Sequence, residues 1–332
     1  MQTKSYTKLV SHEVLLVLGL GVAVLIFFTA PWWAERSDIR LLGEFFSFLG
    51  LAVLWNLLAG YAGLLSVGQQ AFVGLGGYAL FVVSAKMGLS PYLAFPVAAL
   101  VGAALAAIFA TLLFRLNGAY FAIGTWVAAE TISLGFGMIP ELGGGAGMSL
   151  PVGVVKEITT SRSDREAYIY WMLLTMGMGT LIGAYLLLRS KAGLAIMAIR
   201  DNDLAAGSLG IDIWRTKFFV YVGVAAVTSV MGAVIFLQKL RISPDSAFSV
   251  NDWTVYIIFI VVIGGIGRLE GAVLGTILFF VTRELLADLG AVYLIVLGTI
   301  AIIVMFASRS GIWGMLENRT GWTIFPVTRR MR

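Results

Sequence analysis

Cysteine is absent from the chain and His12 is its one histidine. The sequence therefore offers no thiolate nucleophile, no disulfide framework and no cysteine-based metal site. It holds no serine–histidine pairing, and no Gly-x-x-x-x-Gly-Lys-Ser/Thr run to cradle nucleotide phosphates. His12 sits in a polar N-terminal segment, where a lone imidazole reads as a solvated residue. What remains is neutral amides and hydroxyls, and one carboxylate, set within long apolar runs. Asn56, Ser66, Gln69 and Gln70 punctuate one region, and Glu130 stands deep inside another. A charge at the centre of a bilayer costs on the order of several kcal/mol unless it faces a partner or a cavity. Such groups suit either the passage of a polar solute or hydrogen bonds between helices, and the residues alone leave both open.

The elements that hold these groups are membrane spans. Of 332 residues, 59% are hydrophobic and only 12% charged, with a mean hydropathy of +0.93, far from the balance of a soluble domain. Apolar runs at 14–30, 41–58, 71–87, 92–114, 119–139, 168–188, 216–238, 254–267, 271–287 and 290–307 predict an all-α polytopic membrane protein of about ten helices. Several runs fall short of the roughly 20 residues that cross a bilayer untilted, so the pair after Thr254 reads equally as broken or re-entrant helices. The first run resembles the core of a signal peptide but lacks a clear cleavage site before Pro31-Trp32-Trp33, and reads as a retained span. Trp32, Trp33, Trp171 and Trp313 are expected near span ends, where indole favours the headgroup region.

A net charge of +5 does not point to nucleic acid, because the basic residues are scattered through short segments between apolar runs. They sort instead by side. With the N-terminus inside, Lys4, Lys8, Arg115, Arg189, Lys191, Arg200, Arg215, Lys217, Arg268 and Arg309 share the inner side, and Arg162, Arg165, Glu157, Asp164 and Glu166 an outer loop, 141–167. Because lysine and arginine accumulate in cytoplasmic loops, both termini are expected in the cytoplasm: a segment 1–13, a transmembrane domain 14–307 and a tail 308–332.

The inner loop 189–217 is the most informative segment. Asp201, Asn202 or Asp203 can cap the start of a short helix through Leu204, Ala205 and Ala206, and Gly210 can take the left-handed conformation at its end. A helix so short needs a surface to hold it: the membrane, or a docking protein.

The run Ala198-Ile-Arg-Asp-Asn-Asp-Leu-Ala-Ala206 to Gly210-Ile211 resembles the coupling loop of branched-chain amino acid ABC permeases of the LivM type. Leu204 occupies the position where importer permeases in general carry glutamate, leaving Asp201 or Asp203 as substitute acidic contacts. Two glycine-rich stretches resemble the family's in the same order: Asn56 to Tyr78, with Gly60, Gly63 and Gly68, and Val262 to Gly275, with Gly264, Gly265 and Gly267. In lipid such glycines serve close helix packing or hinges. The resemblance covers residues 45 to 314.

That resemblance implies a transport subunit rather than an enzyme, carrying leucine, isoleucine and valine across a bacterial inner membrane. It implies a second related permease, two ABC ATPase subunits docked at Arg200 to Gly210, and a periplasmic solute-binding protein. No cofactor is expected on this chain, ATP and Mg residing on the ATPases. Asn56, Ser66, Gln69, Gln70 and Glu130 are candidate lining of the translocation path, since neutral polar groups suit a zwitterion. Urea or short amides are alternative solutes. An ion-coupled secondary transporter would need a carboxylate network where Glu130 stands nearly alone, and a membrane-embedded enzyme would need a catalytic constellation.

Overall fold

The computed structural model describes residues 21, 24–159, 161–286, 292–308, 310–321 and 324–326. His12, Lys4, Lys8, Arg309, the segment 1–13 and most of the first apolar run lie outside them. A short helix, Ala30–Trp33, leads into α1 (Arg36–Asn56), which widens into a π-helical turn at Leu57–Tyr61. There follow α2 (Gln69–Phe81), α3 (Ala94–Leu113), α4 (Ala119–Gly137) and α5 (Arg162–Arg189). Two short helices, α6 (Lys191–Asp201) and α7 (Asp203–Ser208), lead into α8 (Ile213–Lys239). The chain closes with α9 (Tyr256–Gly264), α10 (Leu269–Leu285), α11 (Val292–Ala307) and α12 (Gly311–Thr320). Two residue pairs, Met148 with Ile242 and Ser149 with Arg241, form an antiparallel ladder of β1 (Met148–Ser149) and β2 (Arg241–Ile242).

Five helical stretches are long and apolar enough to cross a membrane: Arg36–Tyr61, Pro91–Leu113, Arg162–Arg189, Ile213–Lys239 and Pro244–Gly264. Two bent pairs raise the number to seven if each counts as one span. The all-α polytopic expectation holds, while among the described residues the spans meeting that test are fewer than ten, because α2 and α10 are short. Glu166, Arg162 and Arg165, expected in a loop, belong to α5, which starts earlier than its apolar run. Its polar first turns are tolerated because Glu166, nearly buried, pairs with Arg40 of α1 and with Arg162 at 3.3 Å.

The core lies along α1, α2 and α8. α1 packs on α5, and α8 on both α2 and α3, and most of the α1 and α8 spans is buried inside the chain, against a third of the span containing α3. α8 and α2 run in the same direction, Gly232 against Val73 and Phe236 against Gly77. Lipid supplies no hydrophobic drive between helices, so such contacts depend on small residues that let backbones approach. Gln69, at the start of α2, reaches Thr228, midway along α8. α2 therefore begins inside the bundle, and the irregular backbone 62–68 before it runs back alongside α1, where Trp55 donates to the Ser66 carbonyl at 2.8 Å.

Candidate functional site

Arg200 organises the end of the bundle where α1, α6 and the α9–α10 turn converge. In an α-helix each carbonyl is taken by the amide four residues on, but the π-helical turn re-routes that pattern, Ala62 donating to Leu57. The Gly60 carbonyl accepts instead from the Arg200 guanidinium at 3.0 Å, while Asp201 accepts two more of its N–H groups at 2.9 and 2.8 Å. Asn56, fully buried, bridges the same place. Its amide donates to the Arg268 carbonyl and its oxygen accepts from the Gly267 amide, each at 2.8 Å. A side chain at Gly60 would collide with Gly267, its Cβ 2.5 Å from that nitrogen, and Gly267 itself has φ +75°, a left-handed geometry that favours glycine. Gly63 lies over Arg200, and Gly264 and Gly265 shape the adjoining turn against Gly271 and Ser310.

Two further residues complete this junction, neither of them a candidate from sequence. Arg268 donates to Glu317 of α12 at 2.7 Å. Glu270, buried in the first turn of α10, accepts from the amides of Ile324 at 3.0 Å and Phe325 at 2.6 Å, returning the tail to the bundle. An acidic residue inside a glycine-rich stretch is the sequence signal that points to Glu270.

The helix capped at Asn202 forms as its residues dictate. Asn202 accepts from the Ala205 amide at 3.0 Å, and Gly210 ends the segment at φ +84°. α6, which precedes it, is capped by Ser190. Asp203 and Lys217 pair at 2.9 Å, tying α7 to α8. Ala206 is 2% exposed, whereas Leu204 and Leu209 are 85% and 80% exposed. Ala206 packs into the chain itself, the rest of 201–210 is exposed, and Leu204 in the helix with Leu209 at its C-terminal cap are the large apolar side chains on that surface.

Ser66, Gln69 and Gln70 are buried and engaged. The Gly68 amide donates to the Ser66 hydroxyl at 3.3 Å, Gln69 donates to Thr228 at 3.3 Å, and Gln70 accepts from the Thr254 hydroxyl. Gly68 packs against the Thr125 carbonyl, and Thr125 accepts from the Val67 amide at 2.9 Å, fixing α4 to this segment. These groups cross-link helices. The large cavity, about 830 Å³, lies between α5 and α8 and is lined by aliphatic and small residues such as Leu57, Gly183, Val220 and Val227, with Arg215 at one end. Glu130 is placed apart from all of them, on the exposed face of α4. Trp313 is buried within the chain, since α12 folds back onto the Gly265 turn.

A bundle of long apolar helices, one of them starting inside the bundle, joined to short helices at one end, is the architecture of a polytopic membrane protein. Residues 39–306 match the family described as the permease component of branched-chain amino acid transport systems, and the chain belongs to that family. It is a transport subunit, not an enzyme. It is 28% identical to the high-affinity branched-chain amino acid transport system permease protein LivM of Escherichia coli strain K12, over 89% of this chain and 74% of that one. The LivM of Salmonella typhimurium strain LT2 is 27% identical over 86% and 72%. A probable branched-chain amino acid transport permease protein LivH of Methanocaldococcus jannaschii is 27% identical over 39% of this chain and 41% of its own length. No solved structure matches the chain.

Proposed function

We propose that the chain is the membrane-spanning subunit of an ATP-binding-cassette importer that moves branched-chain amino acids inward across the bacterial inner membrane. It pairs with a second permease, takes solute from a periplasmic binding protein and is driven by two ATPase subunits on the cytoplasmic side, where both termini lie. ATP and Mg belong to those ATPases. The names of its relatives support the solute class and the permease pairing.

The observation that carries the coupling is the pair of leucines, Leu204 and Leu209, projecting from a helix of six residues that is capped at both ends. Exposed leucines beside charged Asp201, Asp203 and Lys217 form an apolar knob with a polar rim, the composition of a docking surface. Behind the knob lie two rigid routes into the membrane. One is the Asp203–Lys217 pair into α8. The other is α6, whose Arg200 holds the Gly60 carbonyl and thereby the Gly267 turn. A push on α7 thus reaches α1, α8 and the α9–α10 hairpin together, which is what a rocking transition between two packed states requires.

The test is reconstitution of the complete complex in proteoliposomes with labelled leucine, urea and glutamate. ATP-dependent uptake of leucine alone is expected, and leucine flux at full rate without ATPase subunits would refute the proposal. Replacing Leu204 and Leu209 together with glutamate should abolish co-purification of the ATPases, with the permease still monodisperse in detergent. Retained ATPase binding would remove α7 as the docking element.

A further inference from the structure

We infer that the outward face of α4 forms one wall of the solute passage, closed on its far side by the second permease, with Glu130 as the counter-ion of the solute's ammonium group. The inference rests on the transport reading above and adds to it a location and a recognising residue.

The wall is defined by helical spacing. Phe121, Thr125 and Ala129 turn inward and are buried, and Thr125 is bonded to Val67. The opposite side carries Tyr120, Ile123, Trp126, Val127 and Leu134, all exposed, with Glu130 among them. Glu130 is the twelfth residue of this helix of 19, well inside it from either end. Among the described residues it has neither an ion pair nor a hydrogen bond. Three other acids well inside the helical bundle are engaged: Glu44 accepts from Nη1 and Nη2 of Arg283 at 2.9 and 2.8 Å, Glu166 pairs with Arg40, and Glu270 takes two amides.

Lipid cannot satisfy such a carboxylate. An ionisable group at that depth faces a partner or a watery space. The outward faces of α5, at Ile182 and Leu186, and of α11, at Ile295, Ile302 and Ile303, carry no charge at comparable positions among the described residues, and their exposed Thr175 and Thr299 return their hydroxyls to helix carbonyls, so they suit lipid and the face of α4 does not. Among the described residues Ser66, Gln69, Thr228 and Thr254 are bonded to one another or to backbone, Gln70 accepts from Thr254 while its side-chain amide nitrogen stays buried without a partner, and the cavity of about 830 Å³ is apolar. A zwitterion entering it would lose its hydration without replacement, which polar groups do not tolerate.

The face of α4 has the complementary chemistry. A carboxylate meets the ammonium, and Ile123, Val127 and Leu134, on the same side of the helix as Glu130, meet an aliphatic side chain. The solute's own carboxylate is left to donors on the opposing permease. On this division neither permease alone is expected to bind the solute, and it fits an amino acid with a branched apolar side chain better than it fits urea, which brings no cation.

The chain's lack of cysteine makes the test direct, because any introduced thiol is the only one it carries. In the assembled complex in proteoliposomes, Ile123→Cys, Val127→Cys and Leu134→Cys should react with a charged methanethiosulfonate reagent about tenfold or more faster than Ile182→Cys and Ile302→Cys, since only a hydrated thiol ionises to react. Rates at the α4 positions no higher than at those two would overturn the inference. In parallel, Glu130→Gln should reduce leucine uptake by about tenfold or more with the complex still co-purifying, the size expected when an ion-paired contact with the moving solute is lost. Uptake unchanged by that substitution would also overturn it. ATP-dependence of the unaltered complex is read in the same vesicles, so failure of the importer reading is seen separately from failure of the α4 wall.

Discussion

Asn56, itself fully buried, answers two backbone groups, the Arg268 carbonyl and the Gly267 amide, at a part-buried junction. Replacement by leucine keeps the volume and orphans both, and a buried unpaired backbone group costs about 1–3 kcal/mol. Asn56→Leu should therefore lower the thermal midpoint of the detergent-solubilised protein by several degrees, and an unchanged midpoint would show that the junction is hydrated. Asn56, Gly60, Arg200 and Gly267 were each legible in the sequence as belonging to a suspicious segment. Their meeting was not, because the bonds join residues 140 and 211 positions apart, and hydropathy and spacing carry no information over that distance. The same limit placed Asn56, Ser66, Gln69 and Gln70 together as candidate lining, when polar side chains in apolar runs serve equally as cross-links.

Helix ends were more legible than helix interiors. Asn202 and Gly210 bracket α7 because short side chains that accept amide hydrogens, and residues tolerant of positive φ, act locally. The start of α5 was hidden, since charged residues mask a helix that an ion pair to α1 makes possible. Contacts between helices were hidden too, although glycine hinted at them. The α2–α8 seam is the tightest: a Cβ at Gly76 would stand 1.7 Å from the Ser229 carbonyl oxygen, which belongs to helical backbone and cannot yield cheaply. Gly76→Ala is expected to destabilise the bundle by about 1–3 kcal/mol or more, visible as aggregation in size-exclusion chromatography. A monodisperse variant with an unaltered melting curve would show that these two helices can part.

For the whole molecule, composition alone carried the class, because nothing but a bilayer accommodates so many apolar runs in one chain. Depth did not follow from it. Hydropathy reports that the segment beginning at Gln69 is apolar but not that α2 starts halfway across the bundle, and a run of suitable length therefore counts as a span on paper whether or not it reaches both faces.

Glu270 gives the tail an unexpected role. One carboxylate oxygen receives two successive amides from the last described residues, while Phe325 rests against Tyr185 of α5 with ring centres 5.5 Å apart. The segment Ile324–Phe325 is thus a latch fastened at the start of α10, and cutting the chain after Thr320 strips a buried carboxyl of its partners. Shortened protein should melt earlier than the full chain, by a margin that largely disappears when Glu270→Gln is introduced alongside the cut, because a neutral amide tolerates an open latch at less cost than a carboxylate.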